Sequence, residues 1–123
     1  MRFVECDQQG VVFNGHYLVW ADEAASRWWS AVGLPWTGPD ENGGDSMVKA
    51  SRLEWSSSAR WGDEVAVTAR AEALGRSSLS LTMDITVGER LCCRVVTTYV
   101  WVVAGRSAAW PPAMRRKLAG LMG

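Results

Sequence analysis

The chain changes its hydrophobic period once, and that change limits its possible folds more than any other feature. From about Gly15 to Val32 apolar residues recur at helical spacing. Tyr17, Ala21, Ala24, Trp28 and Val32 share one face, while Asp22, Glu23, Ser26 and Arg27 lie largely elsewhere. Asn14 is an N-cap candidate because its side chain can accept from an orphan backbone N–H. Gly33 followed by Pro35 is a stop signal. Alanines at 21, 24 and 25 would let this helix approach a sheet closely. Residues 34–45 are rich in Gly and Pro and form a loop with room for substrate contacts.

Beyond that loop the period is two. Val65, Val67, Ala69, Ala71 and Ala73 alternate with Glu64, Thr68, Arg70 and Glu72, and Leu79, Leu81, Met83, Ile85 and Val87 alternate with Ser and Thr residues and Asp84. Gly75-Arg76 and Gly88-Glu89 sit where hairpin turns are needed. A strand over Leu91–Val103 is apolar on both faces and should be central or covered on both sides. An earlier strand spans Ser46–Trp55, a short first strand is predicted over Arg2–Cys6, and Pro111–Leu121 suit a terminal helix. The order is strand, long helix, then four strands in a meander. One helix covers only one face of a sheet, so a second copy of the chain is the simplest partner for what is left.

A chain of 123 residues favours one domain, here taken as 1–123. With 13 basic and 13 acidic residues the formal charge is zero, which gives no electrostatic reason to expect nucleic acid or an anionic membrane as partner. Cys6, Cys92 and Cys93 are odd in number with two adjacent, a pattern of free thiols in a reducing compartment. No stretch has the charged start and apolar run of a secretion signal or the length of a membrane span, so the expected location is cytoplasmic. Eight Trp are many for this length, and several are expected at surfaces that a ligand or a second subunit covers.

Chemistry is concentrated near the start: Asp7-Gln8-Gln9-Gly10-Val11-Val12-Phe13-Asn14-Gly15-His16-Tyr17. An acid in a turn before a helix has two uses. It can close an Asx-turn and interact with the helix dipole. Equally, it can activate water or attack a carbonyl that the free N–H groups of the helix start polarise. Gly15 lacks a Cβ and would admit an acyl group close to the backbone. His16 is the only histidine, so His-based nucleophilic or metal chemistry has little material. Ser56, Ser57 and Ser58 have no visible base and are bend residues, and Cys92 and Cys93 are small core residues. Arg60, Arg76 and the run Arg115-Arg116-Lys117 are candidates for meeting phosphate.

This motif, with the order of elements, resembles the hotdog-fold acyl-CoA thioesterases of the 4-hydroxybenzoyl-CoA thioesterase type. Their pattern is an aspartate, two variable residues, glycine, two small apolar residues, a short variable stretch and tyrosine. A second stretch, Leu53 to Asp63, also resembles the family's strand, bend and acid, with Ser58 where proline is common; that departure should loosen the bend. The resemblance implies an α+β hotdog fold, a long central helix wrapped by a curved five-stranded antiparallel sheet, in dimers joined edge to edge or in tetramers. It implies hydrolysis of an acyl-CoA or acyl-carrier-protein thioester to free acid and thiol. Asp7 would be the catalytic base or nucleophile, with Gly10, Asn14, Gly15, His16 and Tyr17 around the substrate. No metal or redox cofactor is required, and coenzyme A enters as part of the substrate. Two rivals stay open: a non-catalytic acyl-thioester-binding module, and a hotdog hydroxyacyl-thioester dehydratase.

Overall fold

A computed structural model of the chain describes residues 14–33, 44–60 and 62–122, with the backbone alone at Asn14 and Gly15. The predicted strand over Arg2–Cys6, the turn that follows it and nearly all of the 34–45 loop lie outside the described residues. The described elements are α1 (Asn14–Ala31), β1 (Gly44–Trp55), β2 (Val65–Leu74), β3 (Ser78–Val87), β4 (Arg90–Val103), β5 (Arg106–Ser107) and α2 (Pro112–Ala119). Four of these strands and both helices stand within two residues of the predicted ends.

The strands form one antiparallel sheet in the order β1-β4-β3-β2, with β5 on the far end of β4. Five strands were expected and five are described, but they are not the same five. The fifth here is the two-residue β5, which folds back through a turn at Ala104 and Gly105, both with positive φ. Sequence periodicity could not signal so short a strand. The central position expected for β4 is correct, since it pairs with both β1 and β3.

Helix α1 is 18 residues long and packs on β2, β3 and β4. Its buried stripe is Tyr17, Ala21, Ala25 and Trp29, with Ala24 and Trp28 half-buried at its flank. The stripe is therefore turned slightly from the predicted face, because the helix leans on the inward side chains of β3 and β4. Those are Leu79, Leu81, Met83 and Ile85 of β3, with Cys93, Val95, Tyr99 and Trp101 of β4. Small residues at 21 and 25 allow the helix backbone down onto them. Gly33, with φ of 80°, ends the helical run as predicted, its N–H bonded to the Ser30 carbonyl.

Most of the described tryptophans pack inward. Trp29, Trp101 and Trp110 are buried, Trp20 and Trp28 half-buried, and among the described tryptophans only Trp55 is exposed. Trp29 stacks edge-on against both Trp28 and Tyr99, and Trp110 leans on Trp101. Trp110 is anchored by its indole N–H on the Ser78 carbonyl. Gly44 begins β1 against the Trp101 ring, where an added Cβ would fall 2.2 Å from a ring carbon. This aromatic plug, with Leu118 of α2, closes the end of the sheet opposite the start of α1.

The outer face of the sheet is held by polar pairs. Asp84 accepts from Arg94 at 2.7 Å and from Arg70 at 2.8 Å, Thr82 donates to Glu72, and Ser80 and Thr98 share a hydrogen bond. The Arg94 bond, joined by Arg70 and opposed by partial burial, holds the Asp84 carboxyl below the ordinary carboxylate range. A depressed folded value means its stabilisation is present at neutral pH and disappears as pH falls through that value. Asp84→Asn should therefore cost about 1–2 kcal/mol, modest because both arginines are half in water. Urea unfolding at pH 7 should show that loss, and the gap between variant and parent should shrink towards pH 3.

Candidate active site

The first turn of α1 gathers what the described residues contribute from the N-terminal motif. Asn14 and Gly15 open the helix, one residue earlier than predicted, so the N–H groups of this turn have no partner further back in the helix. His16 is half-buried. Tyr17 is buried, 1% exposed, and points into the sheet. Asp7 and Gly10 lie outside the described residues, so of the predicted site residues Asn14, Gly15, His16 and Tyr17 share the helix start.

Tyr17 ties this turn to the rest of the molecule. Its hydroxyl accepts the N–H of Ala59 at 2.9 Å, and its ring sits edge-on to Trp20 at 5.5 Å and Trp55 at 6.0 Å. Burial holds the hydroxyl above the ordinary phenol range, only partly offset by the Ala59 N–H. It is thus a neutral anchor at physiological pH. Ala59, wholly buried, ends the serine bend after β1.

The bend is pinned at several points. The N–H groups of Ser56 and Ser57 donate to the Cys92 carbonyl, and the Ser57 hydroxyl donates to the Leu91 carbonyl at 2.9 Å. Arg90, the first residue of β4, donates to the Ser57 hydroxyl at 2.8 Å and the Ser58 carbonyl at 3.0 Å. Its other terminal nitrogen is 3.8 Å from Asp63, whose carboxylate accepts the Arg60 N–H at 2.7 Å. Nothing local in the sequence marks Arg90, which meets the bend only through a contact 32 residues away in the chain. Ser56, Ser57 and Ser58 are bend residues as predicted; the Ser57 hydroxyl meets a guanidinium, which cannot take its proton.

Among the described residues, hollows lie on both sides of α1. One of about 450 Å³ lies between its Trp20, Glu23, Arg27 and Trp28 side and Val65, Val67 and Ala69 of β2. The other, about 210 Å³, faces β1 and β4 and is lined by Asp22, Ala25, Ser26, Trp29, Val48 and Tyr99. Partial burial raises the Asp22 carboxyl above the ordinary range. Burial likewise raises the Tyr99 hydroxyl, with Asp22 adding to the shift, up to about 12.

Other candidates separate. Cys92 and Cys93 are both fully buried, and burial pushes the Cys93 thiol up to about 11, which suits packing rather than nucleophilic attack. Among the described residues no three His, Cys, Asp or Glu side chains gather as a metal site. Arg76 lies in the β2–β3 turn, and Arg115 donates to the neighbouring Gly75 carbonyl, so these cations belong to the far end of the sheet. Arg60, exposed on the bend, is the candidate phosphate partner that stands at the Tyr17 end. No described helix is long and apolar enough to cross a membrane.

Comparison with known proteins agrees with this geometry. A structure of a hypothetical protein from Thermus thermophilus is 27% identical, with a TM-score of 0.87 over 98% of this chain and 94% of the other. A thioesterase from the same species, solved in complex with coenzyme A and Zn, is also 27% identical, with a TM-score of 0.82 over 98% and 88%. The 1,4-dihydroxy-2-naphthoyl-CoA thioesterase of Synechocystis shares the fold at 18% identity, with a TM-score of 0.83 over 98% and 92%. No curated protein sequence matches significantly. The arrangement of helix and sheet is that of the hotdog thioesterases. The family model for the thioesterase-like superfamily matches residues 1–118, nearly the whole chain, and the protein belongs to that superfamily.

Proposed function

We propose that this protein hydrolyses an acyl-CoA thioester to a free acid and coenzyme A, with an acyl-carrier-protein thioester as the other substrate of the same chemistry. Family membership makes thioester hydrolysis the activity class, and the coenzyme A complex of the Thermus thermophilus thioesterase supports the thiol. The observation that carries the reading is the start of α1: a run of backbone N–H groups held in place through the buried Tyr17. The thioester oxygen sits against those groups, which stabilise the negative charge that develops on it. A donor used in this way contributes about 2.7–4 kcal/mol in well-studied hydrolases.

Asp7 drives the attack. As a base, its carboxylate takes a proton from water while the water oxygen bonds to the carbonyl carbon; the C–S bond then breaks and the thiolate recovers that proton. As a nucleophile, it bonds to the carbonyl carbon itself, expels the thiolate, and water opens the resulting anhydride. In this reading Gly10, Asn14, Gly15 and His16 are the other residues of the motif that meet the substrate. The acyl group lies along α1 in the hollow facing β1; Asp22 is seven residues beyond Gly15, about 10 Å down the axis. A hollow of about 210 Å³ suits compact acyl groups better than long chains.

The working unit is a dimer or tetramer in this reading. β1 is one of the two edges of the described sheet, the other being β2, and it carries Met47, Val48 and Trp55, each about half-exposed. A second β1 edge would cover them and bring another subunit to the rim of the hollow beside Val48.

Two measurements test the proposal. Asp7→Ala should keep fold and assembly yet lose most thiol release across a panel of short, branched, aromatic and long acyl-CoAs; undiminished turnover would remove Asp7 from the mechanism, and alkene formation in the parent protein would favour dehydration instead. Val48→Arg, which puts a charge on the β1 edge, should shift the assembly towards monomer in sedimentation experiments and lower activity in step. An unchanged sedimentation coefficient would place the interface elsewhere.

A further inference from the structure

Hydrolysis as proposed needs the first turn of α1 to stay still, and a side chain on a distant strand shares a peptide with it. Arg90 and Tyr17 do not touch, but both grip the same peptide unit. Arg90 donates to the Ser58 carbonyl at 3.0 Å, and Tyr17 accepts the Ala59 N–H at 2.9 Å. That C=O and N–H belong to one planar amide, which cannot twist to release one partner without disturbing the other. A guanidinium on the oxygen also polarises the amide and strengthens its N–H as a donor. The guanidinium is itself held by the Ser57 hydroxyl and stands 3.8 Å from Asp63, so its plane is determined by several acceptors. One terminal nitrogen makes both hydrogen bonds while the other faces Asp63, and a lysine ammonium, a single point donor, does not meet both sides at once.

We propose that Arg90 is a positioning residue for thioester hydrolysis, acting through the Ser58–Ala59 peptide and Tyr17 to hold the oxyanion-binding turn of α1 in register. This rests on the reading that the thioester oxygen meets that turn. The competing role is purely structural: a half-exposed arginine pinning a surface bend, with no consequence for the chemistry. The two differ in which kinetic constant moves and in whether Tyr17 is required.

The test uses the full-length protein with Arg90→Ala, Arg90→Gln and Arg90→Lys, each alone and combined with Tyr17→Phe. Loss of alignment should lower kcat about 10-fold or more in the Ala and Gln variants, with KM within about twofold, because the lost contact matters mainly in the transition state. Lysine should restore little, whereas added guanidinium should restore part of the turnover of Arg90→Ala. In the Tyr17→Phe background the Arg90 substitutions should have almost no further effect on kcat. An unchanged kcat in both the Ala and Gln variants, or the same fractional loss with and without the Tyr17 hydroxyl, overturns the proposal.

Amide hydrogen exchange at Ala59 gives a readout that does not need turnover. It should quicken about 10-fold or more in Arg90→Gln at an unchanged melting temperature; unchanged exchange there would refute the linkage. If the parent protein released no thiol from any acyl-CoA, the hydrolysis reading would fail, and with it the catalytic half of this proposal, while the exchange measurement would still decide whether Arg90 holds Tyr17.

Discussion

The seating of α1 on the inner face of β2, β3 and β4 is the contact from which the other features follow. Ala21 and Ala25 let the helix backbone descend, and Tyr17 and Trp29 bracket them, one near each end of the buried stripe. Each large ring then meets a different set of partners. Trp29 joins Tyr99 and Trp28 in the aromatic plug, and Tyr17 reaches Ala59 on the bend after β1. Larger side chains at 21 or 25 would lift the helix by a distance that two directional anchors could not follow, since a close-packed interior transmits such a change rather than absorbing it. The small residues thus set the height of the helix, and the rings set its position along the sheet.

That arrangement also holds the serine bend, where Ser58 stands at the position that the family resemblance assigns to proline. The sequence suggests a looser bend because Ser58 lacks a locked φ. The fold supplies other constraints: two backbone N–H groups on the Cys92 carbonyl, the Ser57 hydroxyl on Leu91, and the Arg90 guanidinium across Ser57 and Ser58. A restriction that proline would build into one residue is here spread over a network between β1 and the β3–β4 hairpin. The network is electrostatic and directional, and it ends on the Ala59 N–H that Tyr17 accepts.

The same geometry separates chemistry from scaffolding. The helix start is a place where negative charge can develop at little cost, because its N–H groups are oriented before substrate arrives. The opposite end of the sheet is filled by Trp29, Trp101 and Trp110 and tied by Trp110 and Arg115 to the β2–β3 turn. Most of the basic residues that sequence inspection raised as phosphate partners fall there. The outer face of the sheet is knitted by the Arg70–Asp84–Arg94 cluster, which stabilises strand pairing without approaching the helix start.

The amino-acid sequence by itself determined the kinds of element and their order. Periods of 3.6 and two are local properties of the chain, and the 14–31 helix, the strands at 44–55, 65–74, 78–87 and 90–103 and the terminal helix follow from them with ends nearly correct. It also displayed the whole motif from Asp7 to Tyr17, because those residues are contiguous. Only the tertiary structure decided which helix face is buried, that β5 exists, that most of the described tryptophans pack inward, and that Arg90 hydrogen-bonds the bend beneath Tyr17. Each of these depends on contacts between residues far apart in the chain, and such contacts come into being only once the sheet has closed against the helix.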